Sequence, residues 1–171
     1  MNPTFHLVPL QDMAALHLVP LLQDTVAQGA SIGWTSAPST ERALAFWEGC
    51  QASCGRGERL GWVVLGGDGQ VLGSAQLVLD MPENGRHRAE VCKVMVAPAA
   101  RRQGLGEFLM RTAEAAARAQ GRSLLVLDTL LGSAAERLYR RLGFEVCGAI
   151  PGYAMSTTGQ LEATQMMFKR L

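Results

Sequence analysis

The sequence predicts an α+β fold: one central mixed, mostly antiparallel sheet of about 6–7 strands with about four flanking helices. Three observations predict it. Apolar runs of strand length flank Gly66-Gly67-Asp68-Gly69 and Pro82-Glu83-Asn84-Gly85, so antiparallel hairpins come first. The second half then alternates short apolar runs with stretches of helical periodicity, a strand–helix–strand–helix–strand unit. A length of 171 residues, 48% hydrophobic and 18% charged, suits a single domain over 1–171 with its own core.

In chain order, Phe5 to Leu10 reads as a first strand. Asp12 is expected to cap a helix to about Gln28 that Pro20 breaks or kinks. Ser39 or Thr40 caps a second helix to about Cys54. Leu60–Leu65 and Gln70–Leu79 form a hairpin, and Ala89–Val96 is the next strand. Leu105, Phe108, Leu109, Thr112, Ala116 and Ala119 repeat at helical spacing to about Gln120, and Gly121 supplies the stop. Leu124–Leu127, ending in Asp128, has the continuous apolar character of a strand buried on both faces. Ser133-Ala134-Ala135-Glu136 is a capping box for a helix to about Leu142, closed by Gly143. Phe144–Ile150 and Thr164–Arg170 are the last strands, with a loop over Gly152–Glu162 between them.

Composition excludes several function classes. A net charge of +1 and a pI near 7.7 give no basic face for nucleic acid, whereas the local pairs Arg101-Arg102 and Arg140-Arg141 suit a small anion. The apolar stretch Met13–Leu22 is short, interrupted by His17 and Pro20, and lacks a basic lead, so neither membrane span nor signal peptide is expected. Cys50, Cys54, Cys92 and Cys147 lack paired spacing and His companions, so free thiols in a reducing cytoplasm are expected and no metal site.

The chemistry concentrates between the Ala89–Val96 strand and the helix that starts near Leu105. A strand feeding a Gly-containing loop at a helix N-terminus presents orphan N–H groups and a positive dipole end to an anion. Gly104 and Gly106 allow close backbone approach, and Arg101 and Arg102 add cationic donors. The loop lacks the Gly-Lys-Ser/Thr of a nucleotide P-loop, and Leu109 stands where a dinucleotide fingerprint needs its third Gly.

Arg101-Arg102-Gln103-Gly104-Leu105-Gly106 resembles the pyrophosphate loop of the GNAT superfamily of N-acetyltransferases. Ala135-Glu136-Arg137-Leu138-Tyr139-Arg140-Arg141-Leu142-Gly143-Phe144 is similar to the Ala-x-x-Leu-Tyr-x-x-x-Gly-Phe helix of the same superfamily, in the expected order. The likeness is strong from about Leu60 onward and only in outline before it. Asp128-Thr129, Gly132, Ile150-Pro151-Gly152-Tyr153-Ala154 and Gly159 carry a narrower likeness to its tabtoxin-resistance-like branch. The resemblance implies a GNAT-like fold, acetyl-CoA as co-substrate, and transfer of its acetyl group to an amine. It implies that Arg101, Arg102, Gln103, Gly104, Leu105 and Gly106 hold the diphosphate. The main chain of Val94, Met95 and Val96 then holds the pantetheine arm. An Asn common in the superfamily is Gly132 here, so either backbone or Ser133 takes its contact.

Three side chains carry the expected reaction. An alkylammonium must lose a proton before it attacks, and the departing thiolate needs one. Glu90 matches a position where some superfamily members keep a catalytic Glu, although pairing with Lys93 or an Arg would explain it equally well. Asp128 ends its strand where sheets open to ligands, and could hold the ammonium, share proton work or cap a loop. Tyr139 matches the superfamily tyrosine that protonates the thiolate. Strand alternation is expected to put Glu90, Cys92, Val94 and Val96 on one face and Val91, Lys93 and Met95 on the other. Cys92 has no activating His nearby, which favours direct transfer over an acyl-enzyme.

The acceptor pocket is expected between the two N-terminal helices and the Gly152–Glu162 loop, with Trp34, Trp47 and Tyr153 as lining. A neutral chain leans toward a small-molecule amine; a peptide amine and a non-catalytic acyl-CoA-binding module are the alternatives. Sheet edges of this architecture make a homodimer plausible.

Overall fold

The computed structural model describes residues 5–171. Its elements are β1 (Phe5–Pro9), α1 (Ala15–Ala27), α2 (Thr40–Gly55), β2 (Arg59–Gly66), β3 (Val71–Val78) and β4 (Arg88–Val96), then α3 (Leu105–Ala119), β5 (Leu124–Leu130), α4 (Ala134–Arg141), β6 (Glu145–Met155) and β7 (Leu161–Arg170). The strands form one seven-stranded sheet in the order β1-β2-β3-β4-β5-β7-β6. Every neighbouring pair is antiparallel except β4 with β5. The expected mixed, mostly antiparallel sheet with four helices is the architecture that forms.

Helices cover both faces. On one, Leu18, Leu22 and Val26 of α1 and Ala43 and Trp47 of α2 pack against Leu10, Val63 and Met95. On the other, Met110, Ala113 and Ala117 of α3 and Tyr139 of α4 pack with Leu77, Val91, Leu125, Leu127, Phe144 and Met167. Ser39 caps α2 by accepting from the Arg42 N–H, as the sequence suggests.

The start of α1 departs from expectation. Asp12 lies in a short 3₁₀ turn over Leu10–Asp12, and Ala14, without a side-chain cap, precedes the helix. Pro20 neither breaks nor ends α1, which runs uninterrupted from Ala15 to Ala27. A helix-interior proline costs about 3 kcal/mol through its missing N–H and ring clash. Against that, Leu18, Val19, Leu21, Leu22 and Val26 are all at most 4% exposed, and each contributes about 1.5–3 kcal/mol by burial. Burial wins, and Pro20 itself faces solvent.

The Gly152–Glu162 stretch is also not a loop. β6 continues through Pro151 and Gly152 to Met155, and only Ser156–Gln160 turns, with the Ser156 N–H donating to the Gln160 carbonyl at 2.8 Å. Pro151 and Gly152 read as breakers, yet β6 is an edge strand where a missing donor can face solvent. A register irregularity between Ile150 and Ala154 absorbs the distortion.

A third departure lies in β4. Ser74 pairs with Met95 and Gln76 with Cys92, so one residue of β3 opposes two of β4. This is a β-bulge, and Lys93 within it has φ of 51°. Alternation therefore changes phase. Val91 and Val94 pack toward α3, while Met95 packs toward α1 and α2, so the single-face set Glu90, Cys92, Val94, Val96 does not form.

Replacing Pro20 with Ala restores an N–H to an exposed turn of α1 without touching the core. It is expected to stabilise the protein by about 2 kcal/mol and raise the melting temperature by several degrees in a thermal scan.

Candidate functional site

β4 and β5 run parallel and in contact only over Arg88–Glu90 and Leu124–Val126. Beyond those pairs they part. Parallel strands need their slanted ladder to stay together, so the facing edges of the two strands lose that support and a gap opens through the sheet. A cleft of about 1120 Å³ occupies this gap.

One end of the cleft is lined by Val94, Met95, Val96, Arg101, Arg102, Gly104, Leu105, Gly106 and Ser133. Gly104 occupies the N-cap position of α3 with φ of 80°, and no side chain caps the helix. The first-turn N–H groups of α3 therefore have no partner from a capping side chain, and the residues that carry them, Leu105, Gly106 and Glu107, line the cleft. Arg102 also has a positive φ, 59°, so two left-handed residues shape this loop. Gly106 has a second reason to be glycine: a Cβ there would meet Leu138 Cδ2 of α4 at 3.0 Å.

The loop's polar side chains divide. Arg101 is committed to the protein, donating to Gln28 Oε1 at 2.9 Å and to the Val96 carbonyl at 3.4 Å. Gln103 donates its amide to the Ala99 carbonyl at 3.2 Å and is not among the residues that line the cleft. Arg102 is exposed at the cleft mouth.

The start of α4 shows what surrounds Gly132 and Ser133, the two alternatives for the missing Asn. The Gly132 N–H donates to Glu136 Oε2 at 2.6 Å, and its carbonyl accepts from Arg137 Nη1 at 2.9 Å. Both backbone groups of Gly132 are thus occupied. Ser133 caps α4 by accepting from the Glu136 N–H at 3.1 Å, its hydroxyl also lies 3.3 Å from Thr129 Oγ1, and the residue lines the cleft. The Gly132 N–H and Arg140 hold the Glu136 carboxyl below the usual range, which favours the charged form that fastens this turn.

At the middle and far end of the cleft, Glu90 and Asp128 share one face of the sheet. Glu90 pairs with Val126, and Asp128 follows two residues on. Burial raises the Glu90 carboxyl above its ordinary value, and the Asp128 charge adds to this; Lys93 and Arg59 oppose it. Asp128 accepts from Thr164 Oγ1 at 2.9 Å, which orients it from β7. Tyr139 arrives from the opposite face. It is 6% exposed, its ring lies tilted against Phe144 with centroids 6.0 Å apart, and it lines the cleft through the gap between β4 and β5. Burial pushes its phenol up to about 12, with smaller contributions from Asp128 and Cys92. Burial and Glu90 push the Cys92 thiol up to about 11, so at neutral pH it is not a thiolate nucleophile.

The acceptor-side walls differ from expectation. Only the C-terminal end of α1 and the following loop, Thr25 and Gln28–Gly33, reach the cleft; α2 does not. Trp47 is fully buried in the core, and Trp34 meets Phe46 edge-to-face at 6.0 Å outside the cleft. Tyr153 does line it, from strand β6. Sequence reasoning missed Arg59 and the Ala30–Gly33 segment. Nothing local marks either, because β2 reaches the cleft only through pairing with β3 and β4.

The fold and this cleft define a member of a known class. Residues 24–144 match the model of the acetyltransferase (GNAT) family, and the chain belongs to that family. An uncharacterized N-acetyltransferase of Azospirillum brasilense is 36% identical over 107 residues, and the match spans 61% of each chain. A ribosomal-protein-alanine N-acetyltransferase from Brucella melitensis superposes with a TM-score of 0.79 at 26% identity, over 98% of this chain and 99% of that one. A phosphinothricin acetyltransferase from Sinorhizobium meliloti, solved with acetyl-CoA, gives a TM-score of 0.77 at 22% identity, over 100% of this chain and 89% of that one.

Gly104→Val forces a β-branched residue into a left-handed conformation and is expected to cost about 1–2 kcal/mol, whereas Gly104→Asn, which tolerates that region, costs less. Melting temperatures of the two variants check the order.

Proposed function

We propose that this protein is an acetyl-CoA-dependent N-acetyltransferase acting directly on the primary amine of a small molecule, with all of 1–171 as one catalytic domain. The observation that carries the reading is the meeting of Glu90, Asp128 and Tyr139 at one gap in the sheet, next to a helix start that no side chain caps. Acetyl-CoA supplies the activated acetyl thioester. The α3 N-terminus at Gly104–Gly106, with Arg102, holds its diphosphate. Arg101 braces that loop against Gln28, and Gln103 contributes through its main chain. The unpaired β4 edge at Val94, Met95 and Val96 bonds the pantetheine amides, and Ser133 takes the contact left by the missing Asn.

Glu90 takes the proton that the acceptor ammonium must lose before its nitrogen attacks. Its raised pKa brings it nearer the working pH, which suits a base that must both accept and pass on a proton. Asp128 holds the ammonium in place and keeps Glu90 basic. Tyr139, neutral with its phenol at about 12, gives its proton to the departing sulfur.

The Brucella neighbour acts on a protein alanine and the Sinorhizobium neighbour on phosphinothricin, so the shared fold accommodates both kinds of acceptor. A small molecule is favoured here because the Gln28–Gly33 loop and Tyr153 wall the acceptor end. No described helix is long and apolar enough to cross a membrane, and all four cysteines are free, which fits a reducing cytoplasm. Edge strand β6 exposes Val146, Ile150, Tyr153 and Met155 at 37–54%, a surface suited to a homodimer contact.

An acetyl-CoA consumption screen across amines tests the activity itself; absence of turnover with acetyl-CoA bound would favour a binding module. Glu90→Gln and Tyr139→Phe are each expected to lower kcat by about 10²–10⁴ while acetyl-CoA affinity by calorimetry stays within about twofold. For pH, the base acts ionised, so the rate falls as pH drops through the Glu90 pKa. Asp128→Asn removes a charge that raises that pKa, so the acid limb of kcat/KM is expected to move to lower pH.

A further inference from the structure

The acceptor side of the cleft holds two cations with no anion at ion-pair distance, although both act on Glu90 from further away. Arg59 donates from Nε to Ser53 Oγ at 3.1 Å and from Nη1 to Cys50 Sγ and Gln76 Oε1, all neutral groups. Lys93 donates from Nζ to the Ile32 carbonyl at 2.6 Å and lies 5.9 Å from the Phe46 ring centroid. Among the described residues, neither belongs to any ion pair. Elsewhere the protein pairs its buried and half-buried charges closely: Lys169 reaches Glu114 at 2.6 Å, and the buried Glu136 is met by the exposed Arg140 at 2.7 Å. A half-buried cation left with neutral partners is costly unless an anion joins it.

Their placement says where that anion sits. Arg59 pairs across the sheet with Val78, and Val78 with Glu90, so Arg59 and Glu90 share a face two strands apart, about 10 Å between backbones. Lys93 stands three residues beyond Glu90, turned by the bulge toward the Ile32 loop. Arg59, Lys93, Glu90 and Asp128 all line the same cleft. The diphosphate loop begins past Val96, about 20 Å along β4 from Glu90, so Arg59 at the level of Glu90 is out of its reach.

We propose that the acceptor is zwitterionic, a small primary amine that also carries a carboxylate. Its ammonium faces Glu90 and Asp128, and its carboxylate docks on Arg59 and Lys93. The inference rests on the acetyltransferase reading above and adds the substrate class to it. The bulge serves this arrangement, because regular alternation would send Lys93 to the opposite face, toward α3.

The test compares the standard amino acids with the amines that remain when each loses its carboxylate, such as histidine against histamine and phenylalanine against phenethylamine. A peptide with a free N-terminus is the third arm, and acetyl-CoA binding is followed separately by calorimetry. The expected result is turnover with at least one amino acid, at a kcat/KM about ten- to a hundredfold above its decarboxylated partner. Lys93→Met and Arg59→Met should then raise KM for that amino acid and erase the preference, with acetyl-CoA affinity unchanged. Equal kcat/KM for each pair, or a preference for the peptide, overturns the zwitterion and leaves the acetyltransferase. A shifted pH profile with unchanged acceptor KM in both variants also overturns it, since the cations would then only tune Glu90. No turnover with any arm while acetyl-CoA binds overturns the acetyltransferase reading and this one with it.

Discussion

The parting of β4 from β5 is the constraint on which the rest of the molecule depends. Three registered pairs hold the parallel strands together, and past Glu90 and Val126 the sheet is split. The split leaves the β4 edge unpaired while β3 still holds its other side. It also connects the two faces of the sheet, which a continuous ladder would separate. Glu90 and Asp128 lie on the α1–α2 face and Tyr139 belongs to the α3–α4 face, yet the Asp128 charge helps raise the Tyr139 phenol through the gap.

Two local devices keep the split open and useful. The bulge at Lys93 shifts the side-chain phase of β4, so the strand reaches the gap with Lys93 turned toward the Ile32 loop and Val94 toward α3. The turn before α4 is fastened by Glu136, whose carboxylate accepts from the Gly132 N–H and from Arg140 at once. Because that carboxyl is held below its ordinary value, the bracing it gives persists down to moderately acid pH and is lost only as pH falls through the lowered value. Tyr139, one turn of helix later, inherits its position from this anchor.

Much of this was legible in the sequence because it depends on local rules. Hairpins at Gly66–Gly69 and near Pro82–Gly85, the capped starts of α2 and α4, and the uncapped Gly104 start of α3 all follow from turn and cap chemistry. The readings that failed were non-local. The break expected at Pro20 does not occur, because a buried apolar stripe outweighs one missing hydrogen bond. β6 runs through Pro151-Gly152 because it is an edge, and nothing in its own residues says so. Trp34 and Trp47 pack with Phe46 and the core because α2 lies over the sheet rather than over the cleft.

The sequence by itself determined the fold class and the glycine-bearing loop that starts α3, and it named Glu90, Asp128 and Tyr139 as candidates. Those features are set by spacing along the chain, which fixes caps, turns and faces over a few residues. Only the tertiary structure decided which of them meet. It placed Asp128 beside Glu90 through strand register, occupied the Gly132 backbone while Ser133 lines the cleft, and set Arg59 two strands from Glu90 on the same face. Register and strand order join residues far apart in sequence, and no local pattern encodes either.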